Sequence, residues 1–235
     1  MKLAVISLRY SSWSIRPWLA LTHAGAEFET ATAEIQPQPQ TSVGGMIGTK
    51  IQDLPQRKAL GSVTGLFPVL HVDGVAIHEA LAICEFVAER FPQAQLWPAD
   101  TLQRAVARSL STEMAAGFPQ LREHLSCHPF ARVPGFVPNA STRKEIDRVF
   151  EIWEQCLASS GGPFLFGGFT IVDCMYFPVV TRFATYGVTL PPGLEAYAAA
   201  MWALPAVQAW KAIALTAPRL EAYDQGIVAL GGDPG

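Results

Sequence analysis

Between Thr64 and Glu89 the spacing of apolar positions changes twice, and each change has a chemical cause in the flanking residues. Phe67, Val69, Leu70 and Val72 form a short β run, Asp73-Gly74 is a strong two-residue hairpin signal, and Val75, Ala76 and Ile77 predict the returning strand. Leu81, Cys84, Phe86, Val87 and Ala88 then predict a helix whose apolar surface is wider than a stripe and hence largely buried, with Glu79, Glu85, Glu89 and Arg90 on its wet side. Pro68 has no N–H to give a ladder, so it belongs at a strand start on an edge or in a cis turn, with the preceding backbone free to face a ligand. Upstream, Leu3 to Leu8 predicts a buried strand, followed by a serine-rich loop and a helix. Proline is tolerated in a first helical turn, so Pro17 places the N-cap at Ser14 and leaves Ser11 and Ser12 in the loop. Gly25 ends that helix, and Phe28 to Ile35 alternates as a second, less buried strand, completing a βαβ unit. From Gln36 to Ser62 the pattern dissolves among prolines and glycines; so long a connection is a functional or a mobile loop, with a short helix expected around Ile51 to Leu60.

After Phe91 to Asp100, which carries two prolines, no strand pattern returns. The chain therefore divides into residues 1–92, a linker at 93–100, a helical unit at 101–220 and a loose tail at 221–235, where four glycines follow Gln225. Thr101 to His124 reads as one long helix kinked at Pro119, and Ser141 to Ala158 as a second, capped by Ser141 and ended at Gly161-Gly162. Thr170 and Asp173 have the spacing of a capping box, with aspartate in the usual place of glutamate. They open an almost wholly apolar segment to about Tyr186, a pattern that belongs at a domain centre. Leu194 to Trp202 and Pro205 to Leu215 are shorter helices, the second with proline in its first turn. The fold class is an α/β domain followed by an all-α one.

Composition narrows the partners. Half of the 235 residues are hydrophobic, enough for a proper core, and 17 basic against 20 acidic residues leave a net charge of −3 with no long run of either sign. That balance gives no electrostatic footprint for nucleic acid or an acidic membrane. Arg9 cuts the apolar N-terminal run far below signal or spanning length, which points to a cytosolic protein. Cys84, Cys127, Cys156 and Cys174 form no CxxC pair and no cluster with metal spacing, so they are expected as small core side chains, with no metal site.

The order βαβ, loop, ββα, helical domain, with a proline opening the third strand, resembles the cytosolic glutathione S-transferase family, whose first domain is thioredoxin-like. The resemblance covers the chain from Leu3 to about Leu220. It is carried by Ser11-Ser12-Trp13-Ser14-Ile15-Arg16, Phe67-Pro68-Val69-Leu70, Ile77-His78-Glu79-Ala80-Leu81-Ala82-Ile83, Leu96-Trp97-Pro98 and Thr170-Ile171-Val172-Asp173. The first of these is most similar to the zeta class and related bacterial enzymes. The resemblance implies a catalytic serine at Ser11, the cis-proline at Pro68 and the γ-glutamyl grip at Glu79 and Ala80. It also implies glutathione as cofactor, a homodimer, and a wall for the cosubstrate from Glu113, Met114 and Phe118, with Trp13 on the ligand loop lining the same pocket.

The chemistry of such a site follows from elementary considerations. Only the thiolate of glutathione is a good nucleophile, and its thiol pKa lies above neutral, so donors must favour the charged form. A serine hydroxyl and N–H groups at a helix N-terminus do this. The backbone of Phe67 beside Pro68 can pair with the cysteinyl segment as an added strand, the next helix start can hold the γ-glutamyl carboxylate, and Glu79 can take the ammonium. Two positions depart from the family. Ala80 replaces a serine, and Trp13 replaces the zeta-class cysteine, which argues against that class's maleylacetoacetate isomerase activity. Plainer readings stand beside these: Ser11 and Ser14 as helix caps, Glu79 as a first-turn acid favoured by the dipole, His78 as a solvated or hydrogen-bonded histidine, Met114, Trp13 and Trp18 as core, and Lys50 and Arg57 as solvated charges rather than ligands of the glycyl carboxylate. Three functions remain open: thiolate transfer to a small, mostly apolar electrophile; an isomerase or lyase of a specialised metabolite with relaxed glutathione dependence; and a non-catalytic binding module.

Overall fold

The computed structural model describes residues 1–32 and 54–235. Strand β1 (Lys2–Val5) lies inside a four-stranded sheet of order β2-β1-β3-β4. It runs parallel to β2 (Glu29–Thr32) and antiparallel to β3 (Val69–Val72), which pairs with β4 (Val75–His78). Val72 faces Val75 across the hairpin, and Asp73 (φ 48°) with Gly74 (φ 82°) takes the left-handed conformation that a two-residue turn between twisted strands requires. β1 stops at Val5 rather than Leu8. The Ser7 hydroxyl accepts the N–H groups of Arg9 (3.0 Å) and Tyr10 (3.2 Å), and this local bonding outcompetes the ladder, although Leu8 still enters the core.

Helix α1 (Ser12–His23) packs on α3 (Ala80–Arg90) and on α7 (Ile171–Thr185) of the second half. Its N-cap is Ser11, not Ser14: Ser11 holds the extended conformation a cap needs, its hydroxyl accepts the Ser14 N–H, and Ser14 is already helical. Pro17 therefore lies within α1 and removes a single helical bond, to Trp13. α2 (Leu54–Ala59) falls within the stretch expected to be helical, whereas Lys50 and the proline- and glycine-rich stretch before it lie outside the described residues.

In the second half, the expected long helix is two: α4 (Thr101–Ala116) and α5 (Pro119–His124). Pro119 cannot donate to Ala115 and steers the residue before it away from the helical region, so Phe118 adopts φ 60°, ψ 45° and the chain restarts with proline in the first turn. α6 (Ala140–Ser160) is capped by Asn139, whose side chain accepts the Thr142 N–H at 2.8 Å, not by Ser141. α7 opens on the capping box, with the Thr170 N–H donating to Asp173 at 2.8 Å, and every residue from Ile171 to Phe183 is buried. α8 (Leu194–Ala203) and α9 (Pro205–Thr216) follow.

The segment read as a loose tail is instead α10 (Glu221–Ala229), with Ile227 fully buried, and Asp233 exchanges backbone hydrogen bonds with Arg132. Two of the glycines that suggested looseness, Gly232 and Gly235, serve close approach. A Cβ on Gly232 would meet the Arg132 carbonyl oxygen at 2.7 Å.

Candidate functional site

The strand registers bring three backbone features to one edge of the sheet. Ala4, near the exit of β1, faces Val69 at the entry of β3, and Val69 faces His78 at the exit of β4. The Ser11 loop, the cis Phe67–Pro68 peptide and the start of α3 thus share that edge. Ser11 is half-buried, and its oxygen accepts from the Ser14 N–H (3.3 Å) and from the Ser14 hydroxyl (2.9 Å). With both lone pairs engaged, the Ser11 hydroxyl hydrogen is left to donate to something outside the loop. The cap and the candidate catalytic serine are one residue.

Phe67 and Pro68 are buried behind β3. Glu79 is exposed at φ 68°, ψ 130° and makes no capping hydrogen bond, so the positive end of α3 begins at the buried Ala80 without a cap from its own N-cap side chain. His78 is half-buried, with an Nδ1 that has no partner among the described residues. Arg57 is buried, not solvated, and donates to the Gly65 carbonyl at 2.8 Å, bracing the turn that leads to Phe67.

On the other side of Ser11, the half-buried Trp13 ring is met by two guanidinium groups, Arg16 at 4.3 Å and Arg122 at 4.9 Å from its centroid. Arg122 donates to the carbonyls of Gly117 (3.1 Å) and Met114, so Trp13, Met114 and the α4–α5 break at Phe118 are brought together. Glu113 is not with them. Its carboxylate is held by Arg148 of α6, at 2.8 and 3.0 Å. Arg16 is fully buried; its Nε donates to the Met175 carbonyl (3.1 Å), while its two terminal nitrogens have no hydrogen-bond partner among the described residues. Burial, with Arg122 and Arg182 nearby, pushes its pKa well below the usual guanidinium range. Arg182, close enough to repel it, donates to the carbonyls of Leu125 (2.7 Å) and Pro178 (3.1 Å). This cationic floor was not singled out in the sequence, because its arginines are scattered among three helices.

Tyr10, beside Ser11, is another residue the sequence did not flag. It is buried, its hydroxyl donates to Asp224 of α10 at 3.1 Å, and burial raises its pKa, so it is not placed to meet a thiol from solvent. All four cysteines are free; burial pushes the Cys84 thiol up to about 12 and raises Cys127 and Cys174 as well, which makes these three core side chains without nucleophilic character, while Cys156 is half-buried.

Comparison with known proteins accords with this geometry. Residues 10–90 match the "Glutathione S-transferase, N-terminal domain" and residues 105–210 the "Glutathione S-transferase, C-terminal domain". Maleylacetoacetate isomerase of Rattus norvegicus is 29% identical over 183 residues, 77% of each chain. Among solved structures, maleyl pyruvate isomerase, a bacterial zeta-class member, aligns with TM-score 0.64 and 25% identity over 89% of this chain and 96% of that one. A glutathione transferase homologue from Burkholderia, with bound glutathione, aligns with TM-score 0.63 and 22% identity over 90% and 95%. With both of its domains matched in order, and with a thioredoxin-like sheet joined to an all-helical half, the chain belongs to the glutathione S-transferase family.

Proposed function

We propose that this protein adds the thiolate of glutathione to a small, mostly apolar electrophile, with Ser11 as the group that stabilises the thiolate. The observation that carries the reading is the Ser11 hydroxyl, fixed as a double acceptor and left with an outward donor at the N-terminus of α1. Glutathione supplies the nucleophilic sulfur. The chain supplies the rest: Ser11 donates to the sulfur, Phe67 and Pro68 align the cysteinyl segment, the N–H groups beginning at Ala80 take the γ-glutamyl carboxylate, and Glu79 takes the ammonium. The residues fit the peptide with one deficit. Ala80 offers a methyl group where a hydroxyl would bond a charged ligand, a loss of about 1.5–3 kcal/mol, or roughly ten- to a hundredfold in affinity. Trp13, Met114 and Phe118 form the wall for the electrophile, while Glu113 is turned away from it onto Arg148.

A second reading, isomerisation of an anionic metabolite on the same fold, is favoured by Arg16 and Arg122 at the Trp13 ring and by relatives that are maleylacetoacetate and maleyl pyruvate isomerases. The setting is read as cytosolic, in keeping with four free thiols, and the assembly as a homodimer. The chain is divided near residues 93–100.

Titration calorimetry with glutathione on the native chain and on Ala80→Ser tests the cofactor reading. Native binding that tightens about tenfold in the serine variant is expected, and absence of binding by both at millimolar glutathione overturns it. Conjugation of a chloronitrobenzene should fall sharply in Ser11→Ala. A preference for a carboxylate-bearing electrophile over its ester, lost in Arg122→Gln, would favour the second reading.

A further inference from the structure

We infer that Asp224, on the last helix, is a positioning residue for Ser11: it anchors the neighbouring Tyr10 and thereby sets where the serine hydroxyl meets the thiol. The inference rests on the reading of Ser11 as the thiolate-stabilising group.

Ser11 sits between two fixed points. On one side α1 begins, and on the other Tyr10 is buried with its N–H on the Ser7 hydroxyl and its own hydroxyl on Asp224 Oδ1 at 3.1 Å. The Leu220 N–H reaches the same tyrosine oxygen at 3.4 Å, and the Tyr10 ring packs against the edge of His128 (5.0 Å between centroids) and against Tyr223 (4.8 Å). Asp224 receives two further donors: His128 Nε2 at 2.8 Å on the oxygen that Tyr10 uses, and Arg219 Nε at 2.7 Å on the other. Three donors from separate parts of the chain therefore converge on one carboxylate. The active-site loop, the segment after α5 and the approach to α10 are tied together at that point.

The protonation states follow from the geometry. His128 is fully buried, and its Nδ1 has no partner among the described residues, so the proton resides on Nε2, where Asp224 accepts it. Burial lowers the His128 pKa, against the pull of Asp224, and Arg9 and Arg219 lower it further. Burial alone would raise the Asp224 pKa, but the hydrogen bonds from Arg219, His128 and Tyr10 outweigh it and keep the carboxylate ionised. Arg9 completes the surroundings, its guanidinium 5.7 Å from the Tyr10 ring centroid and donating to the Leu215 carbonyl at 3.3 Å. From α7, Arg182 acts on Tyr223, as does Cys127 from the segment after α5. A neutral imidazole and an ionised aspartate thus hold Tyr10 at neutral pH. The tyrosine takes no part in the chemistry itself.

The test uses Tyr10→Phe, which removes one oxygen and keeps the ring, Asp224→Asn, which keeps the shape and removes the charge, and Ser11→Ala. Two properties are read: the pKa of bound glutathione's thiol, from thiolate ultraviolet absorbance against pH, and kcat with KM for conjugation. In Tyr10→Phe and Asp224→Asn the thiol pKa is expected to rise and kcat to fall about ten- to a hundredfold, the size of effect produced by a misplaced catalytic group. KM for glutathione should stay within about twofold. The double variant should be no worse than the worse single one, because both changes act on one contact, the first removing the Tyr10 hydroxyl and the second the charge of the oxygen that accepts from it. Native thiol pKa and native kcat in Tyr10→Phe overturn the proposal whatever happens to the melting temperature, and that variant suffices if Asp224→Asn does not fold. If Ser11→Ala alone raises the thiol pKa, the positioning role fails while Ser11 keeps its own. If Ser11→Ala leaves the thiol pKa unchanged, the Ser11 reading fails and takes this proposal with it.

Discussion

Ser14 has no free choice of partner: it is buried, and its hydroxyl and its N–H both point at Ser11. Its hydroxyl aims the Ser11 hydrogen outward, whereas its N–H makes the capping bond that starts α1. Ser14→Ala removes the first and leaves the second. The expected result is a helix of nearly native stability with a higher thiol pKa for bound glutathione and conjugation slowed about three- to tenfold, the size of one neutral hydrogen bond; an unchanged pH profile would show that Ser11 needs no such guidance. The serines and Pro17 were legible as residues near a helix start. Which serine caps was not, because Pro17 was expected in the first turn, while the cap is fixed one turn earlier by the bend that Ser7 makes with Arg9 and Tyr10. Pro68 could be located because a proline opening a strand is itself a strong local signal, whereas Ala80 was marked out only by the family resemblance.

At the scale of elements, the same contrast holds between local and distant chemistry. The capping box of α7 depends on residues three apart, and it forms as the spacing indicates, with Asp173 also receiving the Leu165 N–H at 3.2 Å. α10 depends on partners far away, Tyr10 and His128, so a glycine-rich stretch looked loose until those partners were in place. The break between α4 and α5 was visible at Pro119 but not its depth, since a kink and a full restart differ only in how Phe118 turns. The docking of α10 should carry a pH signature. The folded-state pKa of His128 is depressed, so the unfolded chain takes up its proton first as the pH falls, and stability declines from about pH 6.5 downward. Asp224 is depressed as well, but its contribution is lost only at more acid pH, below the ordinary carboxylate range, so the two windows are separate. Thermal melts between neutrality and about pH 5 should show the native chain losing stability faster than His128→Gln, which keeps a donor for Asp224 and cannot titrate. Parallel curves would remove His128 from this role.

The two halves of the molecule are joined by polar bonds as well as by apolar contact, some of these bonds buried and others at its rim. Arg16 of α1 reaches the Met175 carbonyl, Trp210 of α9 donates to the Leu8 carbonyl at 2.8 Å, and Glu85 of α3 takes both Arg108 of α4 (2.8 Å) and the Trp97 indole (2.8 Å). α4 buries Ala107, Ser111 and Met114, yet on another face it exposes Leu102 (78%) and Val106 (52%), one turn apart. On the sheet, Val75 of β4 is also exposed (61%). An apolar pair repeated at helical spacing on the outside of an otherwise amphipathic helix calls for a cover, and a second copy of the chain is the cover this family resemblance implies. The native protein is accordingly expected to sediment as a dimer at micromolar concentration. Leu102→Glu combined with Val106→Glu places two carboxylates on each copy where apolar side chains would meet, and should weaken association at least tenfold, about 1.4 kcal/mol, without lowering the stability of the monomer. A native chain that sediments as a monomer would sink the dimer. A dimer indifferent to both substitutions would keep the assembly and move its contact to another face.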